Sequence, residues 1–114
     1  MTETIKNVLH HLGITRNYQG YHQTAIAVKL VIEDEVRLLS VTKSIYWPVA
    51  EECSCNPLSV ERNIRTVILN VWRNNREYLN QIAGFHLSAP PTVSQFIDII
   101  ATHIQQTYIH SNIF

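Results

Sequence analysis

Pro57-Leu-Ser-Val-Glu-Arg-Asn-Ile-Arg-Thr-Val-Ile-Leu-Asn-Val-Trp-Arg-Asn74 is the stretch on which the reading of this chain turns. At about 100° of rotation per residue, Val60, Ile64, Val67, Ile68 and Val71 fall on one face. Arg62, Arg65, Thr66, Leu69 and Arg73 fall on the other. The pattern is an amphipathic helix with a cationic outer face. Asn56 fits as its N-cap and Pro57 as a first helical residue, which needs no backbone N–H.

Upstream, Ser40 to Glu52 has helical spacing at Val41, Ile45 and Val49, with Pro48 as a local irregularity. Two helices joined by Cys53-Ser-Cys-Asn56, the second with an outward basic face, fit a helix-turn-helix, whose second helix enters the DNA major groove. Thr4 to Leu12 spaces Ile5, Val8, Leu9 and Leu12 on one helical face, and Gly13 stands where a left-handed cap belongs. Residues 14–20 read as a loop. Tyr21 to Leu39 is nearly all apolar up to Glu33, and periodicity fits either a β-hairpin or a buried helix ending near Asp34. Glu77 to Ala83 reads as a short helix stopped by Gly84, and Phe85 to Pro91 as a loop. Thr92-Val-Ser-Gln95 is a capping box opening a last helix over residues 92–110, with Phe96, Ile99, Ile100, His103 or Ile104, Thr107 and Tyr108 on its face. The tail from Ser111 is expected to fray.

The chain has 114 residues, 46% apolar and 16% charged, which excludes disorder and fits one domain spanning 1–114. No apolar run reaches the roughly 18 residues of a membrane span, and Met1 to Lys6 lacks a signal-peptide core. With two Cys two positions apart, no disulfide framework is expected. These features imply a reduced, cytoplasmic protein. Net charge is zero, so any nucleic-acid function must rest on a local patch. Residues 57–76 supply one: Arg62, Arg65, Arg73 and Arg76 against Glu61, a net +3. Residues 33–52 oppose it, with Arg37 and Lys43 against Glu33, Asp34, Glu35, Glu51 and Glu52, a net −3.

Some of these residues are not anonymous. Val41-Thr-Lys-Ser-Ile-Tyr46, Val49-Ala50, Ser59-Val-Glu-Arg-Asn-Ile-Arg65 and Trp72 resemble the DNA-binding effector domain of the stage zero sporulation protein A family of response regulators. Gly20-Tyr21, Leu38-Leu39 and Pro91-Thr92 with Ser94 and Phe96-Ile97 extend the likeness from about residue 5 to residue 106. The resemblance implies an all-α fold of about six helices containing a helix-turn-helix. It also implies that Tyr21 onward is helical and that 57–74 is the recognition helix. On the same ground, Glu61, Arg62 and Arg65 would face the bases of double-stranded DNA carrying a TGTCGAA-like box. The chain would act as a stand-alone effector without the family's receiver domain, and so without control by aspartate phosphorylation. Glu51, Glu52 and Ser59 stand where the family carries basic residues, which removes favourable charge near the phosphates.

The chemistry fits those assignments. A guanidinium forms paired hydrogen bonds to guanine O6 and N7, and a glutamate accepts from cytosine N4. Arg62 and Arg65 project about 60° apart, so both reach one groove. Lys43, Asn56, Ser59 and Arg73 are the candidate backbone contacts, although Asn56 and Ser59 also fit as helix caps. Cys53 and Cys55 form one short pair rather than the four ligands of a structural zinc site, so no metal is expected. No Ser/His/Asp set or phosphate loop points to an enzyme, and no cofactor is implied. Tyr46 and Trp72 read as core. Leu69, central on the cationic face, would join Ile113 and Phe114 in a protein-contact patch. A homodimer is expected through helix 92–110, on a side made apolar by Ile97, Ile100, Ile104 and Tyr108. The rival to DNA binding is a protein-interaction module of the same fold, acting on a partner regulator. The direction of Glu51 and Glu52 discriminates the two.

Overall fold

The computed structural model describes residues 2–16 and 18–113, with side chains for residues 3–16 and 18–107. The described residues form six α-helices and no strand: α1 (Thr2–His11), α2 (Gln19–Glu33), α3 (Trp47–Cys53), α4 (Pro57–Asn74), α5 (Arg76–Ala83) and α6 (Val93–Ile113). The segment that periodicity left open is therefore helical. It is also central, since α2 packs against α1, α4 and α6. Tyr21, Ala27, Val28 and Val31 of α2 join Leu9, Ile64, Val67, Phe96 and Ile100 in one contiguous core.

Helix α2 begins at Gln19, inside the expected loop, and Gly20 explains how it sits. A Cβ at Gly20 would lie 2.5 Å from Val67 Cγ2 and 2.7 Å from the Asn63 carbonyl oxygen. Only glycine lets the two backbones approach this closely. A polar clasp closes the same crossing: Asn63 Nδ2 donates to Gln23 Oε1 at 3.1 Å, and Gln23 Nε2 donates to Cys55 Sγ at 3.7 Å. Gln23 is buried, so α2, α4 and the turn before α4 are tied through one side chain.

The expected helix over Ser40 to Glu52 is helical from Val41 to Cys53, but its hydrogen bonding changes along the way. Glu35–Leu39 forms a 3-10 helix, Thr42–Tyr46 a π-helical turn, and α3 starts only at Trp47. Pro48 supplies the reason. It has no N–H to give the Ser44 carbonyl, and that oxygen instead accepts from Arg37 Nη1 at 2.6 Å. The Trp47 N–H reaches back five residues to the Thr42 carbonyl. Ile45 and Val49 still enter the core, so the apolar spacing holds while the hydrogen bonding changes.

The helix ends follow the sequence signals. Gly13 and Gly84 adopt φ of +87° and +81°. Thr92 and Gln95 make both halves of the capping box, the Gln95 N–H to Thr92 Oγ1 and the Thr92 N–H to Gln95 Oε1. The last helix runs to Ile113, a few residues past the expected 110, and one expectation for α6 is corrected. Ile97, Ile100 and Ile104 are fully buried in the chain's own core, so they leave no apolar dimer side. The exposed positions among the described side chains of α6 are Gln95, Asp98, Thr102, Gln106 and Thr107. The side chains of Tyr108 and Ile113, and Phe114 itself, lie outside the described residues.

Candidate nucleic-acid interface

Helices α3 and α4 form the helix-turn-helix. Ser54 turns the chain between them in the left-handed conformation, with φ of +54°. Asn56 caps α4, its Oδ1 accepting from the Leu58 N–H at 2.8 Å. Val60, Ile64, Val67, Ile68 and Val71 are the buried residues of α4, the same five that the wheel places inward. Their packing leaves no freedom over which side of α4 faces out.

That outer side carries Arg62, Arg65, Thr66, Leu69 and Arg73, all exposed. Arg62 has no ion-pair partner among the described residues. Arg65 has one: its Nη2 lies 2.9 Å from Glu61 Oε1, and its Nε donates to the same oxygen at 3.0 Å. The Arg65 side chain is 65% exposed. An exposed i,i+4 pair is worth about 0.3–0.5 kcal/mol, so a phosphate or a base edge can displace it. Of the remaining candidates, Lys43 is exposed on the π-helical turn, Arg73 is exposed in the last turn of α4, and Ser59 is half-buried. The Asn56 oxygen is committed to its cap.

The π-helical turn packs against α4. Tyr46 is buried, and burial pushes its phenol up; the nearby Glu61 carboxylate adds to that and Arg65 opposes it. Tyr46 and the Glu61–Arg65 pair are thus electrostatic neighbours. Trp72 is half-buried on the core with the Arg76 guanidinium 3.8 Å above its ring. Trp47, by contrast, is 59% exposed.

Glu52 faces elsewhere. It lines a groove of about 330 Å³ with Ile5, Lys6, His22, Ala25, Ile26, Lys29, Leu30 and Glu33, all on α1 or α2. No α4 residue contributes. Leu69 is 44% exposed and borders a shallow groove with Arg65, Ile68, Pro90, Pro91 and Val93. Its neighbours are therefore the prolines before α6, while the expected partners Ile113 and Phe114 lie outside the described side chains. Cys53 is half-buried and Cys55 exposed. Among the described residues, no group of three or more His, Cys, Asp or Glu could hold a metal ion.

Sequence reading missed the Gln23–Asn63–Cys55 clasp and the exposure of Trp47. No periodic signal marks either one, because both depend on which helices cross. No helix among the described residues is long and apolar enough to cross a membrane.

A family model described as "Sporulation initiation factor Spo0A C terminal" matches residues 5–104. That family is the DNA-binding domain of a sporulation transcription factor and is not a family of enzymes. With that match over most of its length, the chain belongs to the Spo0A C-terminal family.

Proposed function

We propose that this chain, folded as one domain, binds double-stranded DNA sequence-specifically and regulates transcription. In this reading α4 lies in the major groove. Arg62 and Arg65 donate to guanine edges, and Glu61 accepts from a cytosine once Arg65 leaves it. Lys43, Ser59, Arg73 and the Asn56 amide hold phosphates. Arg73 stands about 16 Å along α4 from Arg62, on nearly the same stripe, which suits a helix whose far end meets the backbone. The observation that carries the reading is the outward, unburied presentation of Arg62 and Arg65 on the second helix of a helix-turn-helix.

A TGTCGAA-like box is the proposed target. The two glutamates divide: Glu52 borders the α1–α2 groove, which favours DNA binding, whereas Glu51 is exposed one turn beyond Trp47 on α3, which weakens that binding and keeps the interaction-module rival in play. Homodimerisation, if it accompanies binding, needs a surface other than Ile97, Ile100 and Ile104.

The test is selection of bound duplexes from random DNA, followed by Arg62→Ala with Arg65→Ala. Loss of the selected preference at an unchanged thermal midpoint supports the assignment. Unchanged binding removes it, and capture of a partner regulator without any duplex binding favours the rival.

A further inference from the structure

A tryptophan ring open to solvent leaves a large apolar area wet and its indole N–H without a protein acceptor. The two tryptophans of this chain are treated differently. Trp72 packs on the core beneath Arg76. Trp47 is 59% exposed and makes no side-chain hydrogen bond or ring contact among the described residues.

Its position is informative. Trp47 opens α3, the helix that in a helix-turn-helix crosses the DNA backbone. Lys43 lies four residues before it on the π-helical turn and is exposed too. Between them Tyr46 sits within electrostatic reach of Glu61 and Arg65. The π-helical turn and α3 both pack against α4, the helix that carries the arginines.

We propose that Trp47 is a DNA-backbone contact: its indole Nε1–H donates to a phosphate oxygen and its ring covers the adjoining sugar, while Lys43 supplies the charge. The proposal rests on the DNA-binding reading and adds a positioning residue to it. Glu51, one turn beyond Trp47 on α3, sets the limit of the contact, since its carboxylate repels a phosphate. The strand is thereby held toward the Lys43 end.

The test uses the full chain and two fluorescein-labelled duplexes, one selected for binding and one scrambled. Trp47→Phe removes the N–H and keeps a ring, and Trp47→Ala removes both. A lost hydrogen bond to a charged phosphate, about 1.5 kcal/mol or more, corresponds to about tenfold in affinity. Trp47→Phe is therefore expected to bind about tenfold more weakly, and Trp47→Ala more weakly still. Both losses should be equal on the two duplexes, leaving the preference ratio unchanged, as a phosphate contact requires. The wild-type tryptophan emission should change on adding the duplex, and the Trp47→Phe emission should not. Wild-type affinity in both variants, or equal emission changes in wild type and Trp47→Phe, overturns the Trp47 assignment while DNA binding stands. Failure of the wild type to bind either duplex overturns both.

Discussion

The Arg65 guanidinium donates through Nε and Nη2 to a single oxygen of Glu61, so the proposed base reading by either residue would begin with their separation. That exchange costs little, because the pair is solvated. Glu61→Ala is expected to change stability by less than about 0.5 kcal/mol, a shift of about 2 °C or less in thermal midpoint. The same substitution should raise affinity for scrambled duplexes, by removing a negative charge beside the phosphates, and narrow the gap to the preferred one. Gel shifts on both duplexes check this. His103 offers a second residue-scale test. Its partial burial holds the imidazole below its ordinary value of 6.5, so the folded chain favours the neutral ring. As pH falls through that range the unfolded chain takes up the proton first, and stability is lost. His103→Gln should show a smaller fall in thermal midpoint between pH 7 and pH 5.

Helix α4, the recognition helix of the proposed function, is aimed by its crossing with α2. Helix propensity alone favours alanine over glycine by about 0.8–1.0 kcal/mol. At Gly20 the clash with Val67 and the Asn63 backbone outweighs this, because overpacking against backbone costs about 1–3 kcal/mol or more. Gly20→Ala is expected to lower the thermal midpoint by several degrees; a rise would show that the helices do not cross so closely. On α3, the two adjacent glutamates separate by direction. Glu51 lies one turn beyond Trp47, whereas Glu52 lines the groove with Lys6, His22 and Lys29. Glu51→Lys should tighten duplex binding and steepen its salt dependence, with up to about 0.9 added to the log–log slope for each new phosphate contact. Glu52→Lys should stay closer to wild type in the same titration.

Across the whole molecule, zero net charge means that long-range attraction would give the proposed DNA binding little help. Affinity must come from the +3 stretch of 57–76, set against the acidic 33–52 stretch. The expected behaviour is weak, strongly salt-sensitive association. The core, not a subunit interface, absorbs the isoleucines of α6. Ile100→Ala should cost about 2–5 kcal/mol, a large part of a total stability of about 5–15 kcal/mol. The thermal midpoint of this variant should fall by the same amount at every protein concentration. A midpoint loss that grows on dilution would instead place Ile100 in a dimer interface.

By itself the sequence determined the inward and outward faces of α4, the glycine caps at Gly13 and Gly84, and the Thr92–Gln95 capping box. Those features repeat within one or two helical turns, so spacing reveals them. It also carried the motif, from Val41 to Trp72, by which the family is legible. Only the tertiary structure decided that the helix over Ser40 to Glu52 contains a π-helical turn, since that depends on Arg37 reaching the carbonyl Pro48 cannot satisfy. It alone buried Ile97, Ile100 and Ile104, tied Gln23 to Asn63 and Cys55, and left Trp47 outside. Each of these depends on residues distant in the chain meeting across a helix crossing, and periodicity along one helix does not encode what packs against it.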